Sequence, residues 1–198
     1  MKIETLTLGA YQTNCYLVRE ESRNDILIID PGYEPQAILN HITEQGYTAA
    51  AILLTHGNSD HDGGVKDLVA ETDCPVYLCP EELAMPESVT AGRLYYTDPY
   101  YDGDTFTLAG LPFRVLQTPG HTPGSVCLLF DGVMFCGDTL FDGSCGRTDM
   151  PCGSWEQMHA SLQKLNALKE DYVLYPGHGG ISRLSLQKKT NPYLRGLL

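Results

Sequence analysis

Four short segments of the sequence place histidine or aspartate beside glycine, and each directly follows an apolar run. They are residues 55–64, 118–124, 137–139 and 176–179. Their candidate metal ligands are His56, Asp60, His61, His121, Asp138 and His178. Imidazole and carboxylate groups are the ligands that zinc and harder divalent cations prefer in proteins. These six candidate ligands are more than one closed metal site needs, and they suit two metal ions about 3.5–4 Å apart that share a carboxylate.

The apolar runs in front of these segments predict the strands that position them. Strands are predicted for residues 49–54, 113–117, 133–136 and 172–175, and the candidate ligands follow the carboxyl ends of these strands. Loops at the edge of a sheet gather side chains from distant parts of a chain. Glycine allows the backbone to turn sharply in such loops. We therefore expect the candidate ligands to converge in one cleft.

The rest of the pattern alternates strands with helices. Further strands are predicted for a hairpin over residues 3–18, broken at 9–14, and for residues 25–30, 75–79, 106–108 and 125–130. Helices are predicted for residues 34–45, 64–70, 154–170 and 184–194, the third with a capping box formed by Ser154 and Gln157. Residues 80–104 are predicted to be a surface excursion that covers a site, or else a long loop packed through its tyrosines. These elements predict an α/β (α+β) fold in which two sheets pack face to face with helices outside.

Length and charge limit the classes of function. The 198 residues are predicted to form one domain, residues 1–198. Thirteen Lys and Arg against 25 Asp and Glu give a formal net charge of −12, which disfavours nucleic acid and anionic membranes as partners. The longest apolar run, residues 49–54, is far shorter than the ~20 residues of a membrane helix. The expected partner is a small molecule, and the sequence leaves the oligomeric state open.

The number and placement of the cysteines indicate the cellular compartment in which the protein is expected. The seven cysteines are odd in number, include no CxxC pair, and several lie in apolar runs, where a free cysteine acts as a small hydrophobe. The N-terminus alternates apolar with polar residues and lacks the apolar stretch of a signal peptide. We therefore predict a cytoplasmic location.

The four segments also resemble the motifs of a known family. Residues 55–64 match the pattern THxHxDHxGG at every fixed position but one, and residues 118–125, 137–141 and 176–179 read TPGHTPGS, GDTLF and PGHG. These motifs resemble the metallo-β-lactamase superfamily, and most closely its glyoxalase II-like (hydroxyacylglutathione hydrolase-like) short form. The resemblance implies an αββα sandwich of two mixed β-sheets with helices on the outer faces. It also implies a single domain, because the chain ends too soon to contain the extra C-terminal helical domain of full glyoxalase II.

By position, the resemblance implies two metal sites. His56, Asn58 and His121 would form the first site, Asp60, His61 and His178 the second, and Asp138 would bridge them. Two divalent ions are implied, with zinc the first expectation and iron or manganese the alternatives. Asn58 departs from the family, which has histidine there. An amide oxygen binds zinc or iron less well than a neutral imidazole, so the first site is expected to be weak or empty.

The resemblance implies hydrolysis of a thioester such as S-D-lactoylglutathione by a metal-bound hydroxide, with Asp60 as the catalytic residue that orients the hydroxide. Arg147 would contact the substrate, a glutathione conjugate, or would instead be a surface arginine paired with a carboxylate. Asp30, at a strand end, is expected to fix the neighbouring loop rather than to bind metal.

Two other functions stay open. Persulfide dioxygenases share the fold and use one iron held by the residues that match His56, His121 and Asp138, so the loss of histidine at position 58 would not disturb such a site directly. Alternatively, the chain is a metal-binding domain whose catalysis is weakened because Asn58 replaces the expected histidine. A ribonuclease of this superfamily is disfavoured by the net charge of −12.

Overall fold

A computed structural model gives the fold of residues 1–196, which form two six-stranded sheets, a small hairpin and several helices. The first sheet contains, in spatial order, β1 (Lys2–Leu8), β2 (Thr13–Arg19), β3 (Asp25–Ile29), β4 (Thr48–Leu53), β5 (Val76–Leu78) and β6 (Asp98–Pro99). Strands β1 to β3 pair antiparallel, and β3 to β6 pair parallel, so the sheet is mixed.

The second sheet is mixed as well. It contains β7 (Thr105–Leu108), β8 (Leu111–Gln117), β9 (Val126–Phe130), β10 (Val133–Gly137), β13 (Val173–Pro176) and β14 (Ser182–Arg183). Between β10 and β13 the chain forms a separate hairpin of β11 (Leu140–Phe141) and β12 (Ser144–Cys145). Its spatial order is β14-β13-β10-β9-β8-β7, and the β10–β13 pair is parallel. The predicted hairpin and strands are present, whereas the sequence did not predict the two-residue strands β6, β11, β12 and β14.

The helices cover the outer faces of the two sheets. They are α1 (Pro35–Gln45), the single turn α2 (Ser59–Asp62), α3 (Val65–Thr72), α4 (Trp155–Ala167) and α5 (Leu184–Thr190), with a 3-10 helix at Pro80–Ala84. Residues of α1 and α3 share one apolar cluster with the first sheet, and residues of α4 and α5 share another with the second sheet. A third cluster fills the space between the sheets. The predicted αββα sandwich is therefore confirmed.

The alternation of side chains along a strand explains this layering. In β3, Ile26 and Ile28 belong to the outer cluster, while Leu27 and Ile29 belong to the cluster between the sheets. Successive side chains of a strand point to opposite faces, so a strand buried on both sides is a continuous apolar run.

Two predicted helices are shorter in the structure. Helix α4 begins at its predicted cap, where Ser154 Oγ accepts the Gln157 N–H, but it ends at Ala167 rather than 170 because Leu168 adopts an extended backbone. Helix α5 ends at Thr190 rather than 194. Asn191 precedes a proline, and that position disfavours the helical conformation.

Residues 80–104 combine features of both alternatives predicted for them, since part of the segment packs into the fold and part lines the cleft described below. Glu82, Met85 and Tyr100 are buried, and the Tyr100 hydroxyl donates a hydrogen bond to the Leu54 carbonyl. Ser88 and Val89 of the same segment line the cleft described below. The segment is thus packed against the carboxyl end of β4.

The two sheets meet at one edge through backbone hydrogen bonds. The Val126 N–H donates to the Thr55 carbonyl at 2.9 Å, and the Asn14 N–H donates to the Gly177 carbonyl at 2.8 Å. The loops that follow β3, β4, β8, β10 and β13 converge at this edge. Within residues 1–196, no helix has the length and apolar character needed to cross a membrane.

Truncation of the core between the sheets is expected to destabilise the protein strongly. Leu128 of β9 is fully buried in that core, so Leu128→Ala should lower the free energy of unfolding by about 2–5 kcal/mol through lost burial and a cavity. Leu186 is 48% exposed and provides the matched control. Leu186→Ala should change the free energy of unfolding by less than about 0.5 kcal/mol. Urea unfolding curves measure both; equal effects would contradict the assignment of this core.

Candidate metal centre

The structure brings together all of the candidate ligands predicted from the sequence. Two groups each have ligand atoms within 4.8 Å of one another: His56, His121 and Asp138 form the first group, and Asp60, His61 and His178 form the second. The first group joins loops after β4, β8 and β10, and the second joins α2 to the loop after β13.

Asp138 lies between the two groups. Its Oδ2 is 3.5 Å from His121 Nε2 in the first group and 3.5 Å from His178 Nε2 in the second, and its Oδ1 is 3.6 Å from His61 Nε2. This is the position that a bridging carboxylate needs.

The second group is compact. Asp60 Oδ2 lies 3.1 Å from His178 Nε2 and 3.7 Å from His61 Nε2, and the two Nε2 atoms lie 3.4 Å apart. Thr13 Oγ1 donates a 3.3 Å hydrogen bond to Asp60 Oδ2. Three side chains therefore point their ligand atoms at one small volume.

Asn58 lies beside the first group. Its side-chain nitrogen lies 3.0 Å from His121 Nε2, and the residue is 8% exposed. In this orientation the amide donates to the lone pair of His121 that a metal ion would use. Rotation of the amide by half a turn presents its oxygen instead, because an asparagine side chain offers both a donor and an acceptor.

The other ring nitrogen of three histidines is held by an oxygen atom. The partners are the Arg147 carbonyl for His121 Nδ1 (2.8 Å), the Tyr11 carbonyl for His178 Nδ1 (3.1 Å) and Thr55 Oγ1 for His56 Nδ1 (3.0 Å). An oxygen at Nδ1 fixes the orientation of the ring and turns Nε2 toward the centre, where a metal ion could bind it. The arrangement of these rings is therefore the one expected of metal ligands.

Asp30 supports the loop that carries most of the ligands. Its two carboxylate oxygens accept hydrogen bonds from the Thr55 N–H (2.8 Å) and hydroxyl (2.7 Å), and Oδ2 lies 3.1 Å from His61 Nδ1. The residue has a left-handed backbone (φ 50°), which aims its side chain at Thr55. Asp30 also forms, with His56 and His61, a third group whose possible ligand atoms lie within 4.8 Å of one another, so its supporting role stays a prediction.

Burial and charge set the protonation of the centre. Burial lowers the pKa of His56 well below its ordinary value, and the neighbouring histidines lower it further. Burial alone would raise the pKa of Asp60, but the hydrogen bond with His178 and the nearby His61 lower it to about 2. Burial lowers the pKa of His61 and His178, but nearby carboxylates outweigh it, raising the pKa of His61 to about 9 and that of His178 above its ordinary value. A cation binds the neutral imidazole, so these two rings release a proton when it binds.

Two buried polar atoms indicate that the residues present fit a metal ion. Among the residues that the structure describes, four side-chain atoms are buried without a hydrogen-bond partner, and His56 Nε2 and Asp138 Oδ1 of the centre are two of them. Such atoms are costly unless something binds them. The Cβ of any other residue at Gly177 would collide with Asp138 Oδ1 and His61, so glycine there keeps the space between the ligands open.

The centre forms the floor of a cleft of about 680 Å³. Sequence analysis missed its apolar wall, which includes Tyr11, Val89, Phe141 and Met150. Phe141 lies in β11 and the other three lie on separate loops with no shared spacing, so only the tertiary structure brings them together.

Arg147 lies at the rim of this cleft, where the sequence predicted a substrate contact. Its guanidinium pairs with Asp149 through two hydrogen bonds, of 2.7 and 2.9 Å, and 63% of its side chain is exposed. The pairing with a carboxylate is therefore present, while the contact of Arg147 with the substrate stays a prediction.

Comparison with known proteins agrees with this architecture. The sequence profile of the metallo-beta-lactamase superfamily matches residues 8–178. A hydroxyacylglutathione hydrolase, GloC of Haemophilus influenzae, is 32% identical and aligns over 98% of this chain and 98% of its own length.

Two solved structures are similar over nearly the whole chain. TTHA1623, crystallised in a di-iron-bound form, is 36% identical with a TM-score of 0.86, covering 96% of this chain and 100% of that chain. ETHE1 from Myxococcus xanthus is 26% identical with a TM-score of 0.86, covering 99% of this chain and 85% of that chain.

Replacement of Asn58 by histidine is expected to strengthen the first site. The native chain should bind one zinc ion tightly and a second ion more weakly, because an amide replaces an imidazole. Asn58→His should lower the dissociation constant of the more weakly bound zinc ion at least about tenfold, which corresponds to ~1.4 kcal/mol of binding free energy. Calorimetric titration of the metal-free protein with zinc measures both steps.

Asn24→His adds a histidine on an exposed loop and is the matched control, with no expected change in either step. Two equally tight zinc ions in the native chain would contradict a weak first site.

Proposed function

The chain belongs to the metallo-beta-lactamase superfamily, and on this basis we propose that it is a metal-dependent hydrolase of thioesters such as S-D-lactoylglutathione. The observation that carries the proposal is the pair of ligand groups joined by Asp138 at the floor of a cleft. The similarity to a hydroxyacylglutathione hydrolase over the full chain supports the same reaction class.

His56, His121 and Asn58 would hold one metal ion, Asp60, His61 and His178 the other, with Asp138 shared between them. Zinc is the proposed metal, while the di-iron form of a similar structure makes iron the alternative. When bound in such a site, a divalent metal ion polarises a carbonyl oxygen and lowers the pKa of a coordinated water to about 7.

Asp60 is the proposed catalytic residue of the chain. Its carboxylate is ionised at neutral pH, because its pKa is lowered to about 2, and Thr13 and His178 fix its Oδ2 by contacts of 3.3 and 3.1 Å. The other oxygen can accept a hydrogen bond from the attacking water and orient it toward the substrate carbonyl.

The chemistry of the leaving group suits this cleft. A thiol has a pKa near 8.5, so a thiolate leaves without a strong general acid. The apolar wall formed by Tyr11, Phe141 and Met150 can exclude water from the acyl group, and Arg147 stands at the rim where a carboxylate of the thiol part could bind. A glutathione thioester has both an acyl group for the apolar wall and carboxylates in its thiol part for Arg147.

A persulfide dioxygenase activity is the second candidate, because His56, His121 and Asp138 are all present and the similar structure of ETHE1 shares the fold. In that reaction one iron would suffice, and the second group would be unused. A third possibility is a metal-binding domain in which Asn58 weakens catalysis. The cytoplasmic location stays a prediction.

The deciding experiment compares two substrates on protein loaded with zinc or with iron. Loaded protein should release glutathione from S-D-lactoylglutathione, and removal of the metal with a chelator should abolish the release. Asp60→Asn should lower kcat by about 10²–10⁴-fold, because it removes the negative charge and one of the two acceptor oxygens that can orient the water. Asp67→Asn, on the exposed face of α3, should leave kcat unchanged.

Oxygen consumption with glutathione persulfide, measured on the same preparations, separates the dioxygenase from the hydrolase. No hydrolysis of any simple thioester by the loaded protein would refute the proposed function.

The rim arginine gives a separate prediction. Arg147→Ala should raise KM for S-D-lactoylglutathione about 2–5-fold with little change in kcat, because an exposed ion pair contributes at most ~1 kcal/mol. Arg114→Ala, on the exposed side of β8, is the control and should change neither constant. An unchanged KM for the Arg147 variant would mean that the arginine only pairs with Asp149.

A further inference from the structure

Glu82 is a buried carboxylate outside the two ligand groups. It lies in the 3-10 helix Pro80–Ala84, where its side chain is fully buried while Glu81 and Leu83 on either side are exposed. Burial of a carboxylate is costly unless hydrogen bonds compensate for the lost hydration. The buried carboxylate of Glu82 therefore requires hydrogen-bond donors close to both of its oxygens.

The two oxygens of Glu82 join two loops of the metal centre. Oε2 accepts the Gly57 N–H at 2.6 Å, and Oε1 accepts the Gly124 N–H at 2.6 Å. Gly57 directly follows His56, and Gly124 lies three residues after His121. Hydrogen bonds to an ionised acceptor are short and about twice as strong as neutral ones.

The contact between Glu82 and these loops is tight. A Cβ at Gly124 would lie 2.8–2.9 Å from the backbone nitrogen, Cγ and Oε1 of Glu82, so another residue there would push the loop away. Burial raises the pKa of Glu82 to about 7, while hydrogen bonds from Thr122, Gly57 and Gly124 favour the charged form.

The second group has further contacts of its own, although Asp30 supports both groups because it also binds Thr55, the residue before His56. Asp30 contacts His61, and Thr13 donates to Asp60. The loop that carries His178 is held by Asn14, whose side chain donates to the Pro176 carbonyl at 3.1 Å. Glu82 contacts none of these three supports, whereas it binds both loops that supply the histidines of the first group.

We propose that Glu82 is a positioning residue that sets the separation of the His56 and His121 loops and thereby the metal affinity of the first site. This site depends on such support more than the second one does, because beside its two histidines it has the neutral amide of Asn58 where the second group has the carboxylate of Asp60. The inference rests on the metal-dependent function proposed above, but zinc binding tests it without any substrate, so failure of thioester hydrolysis would leave it standing.

The test is a zinc titration of the full-length, metal-free protein at pH 8, comparing the native chain with Glu82→Gln. Glutamine has nearly the same shape, but its NH₂ group must face one of the two glycine N–H groups, so one of the two hydrogen bonds is lost. Resonances of the imidazole nitrogens report His56 and His121 separately from His61 and His178. Glu81→Gln, one residue earlier and exposed, is the matched control.

Glu82→Gln should weaken zinc binding at the His56–His121 site by ~10–100-fold, as replacement of residues behind metal ligands commonly does, and leave the His61–His178 site within about twofold. Glu81→Gln should change neither site. Equal weakening of both sites would overturn the proposal, because it would indicate general destabilisation. Unchanged affinity at both sites would overturn it as well.

A measurement on the native chain keeps the proposal testable should Glu82→Gln fail to fold. The amide protons of Gly57 and Gly124 should exchange slowly with solvent and resonate downfield, as expected of donors to a carboxylate. Exchange of both protons as fast as in an unstructured peptide would overturn the proposal.

Discussion

The free energy cost of burying carboxylates governs the organisation of this protein. Asp30, Asp60 and Asp138 lie beside histidines at one edge of the sandwich, and the side chain of Asp30 is only 2% exposed. An ionised carboxylate can be buried only where hydrogen bonds and positive charge compensate for lost hydration. Backbone donors, imidazoles and the expected metal ions supply this compensation, so the folding of the edge and the binding of cations are coupled.

That coupling ties the two sheets together. Ligands reach the centre from loops of both sheets, and the sheets are also joined there by the bonds from Val126 to Thr55 and from Asn14 to Gly177. Elsewhere the sheets contact each other through apolar side chains, which are less directional. The polar edge therefore fixes the relative position of the sheets, whereas the apolar core supplies most of the burial.

The two ligand groups differ in their support. The second group has an intact set of donors, with Asp30 behind His61 and Thr13 beside Asp60. The first has Asn58 where the family has histidine, and Glu82 spans its two loops. An asymmetric centre of this kind is compatible with a hydrolase that needs unequal metal ions and also with a mononuclear oxidoreductase, and metal occupancy distinguishes the two.

The sequence by itself determined the sandwich and the candidate ligands, because apolar runs ending in His, Asp and Gly require only local pattern to be identified. It also placed Asn58 in the first site, through the resemblance of residues 55–64 to a family motif. Only the tertiary structure decided that Glu82 is buried, that Arg147 pairs with Asp149 at the rim, and that residues 80–104 pack against β4. The burial of a side chain depends on neighbours far away in the chain, such as Gly124 for Glu82, and no local pattern records those distances.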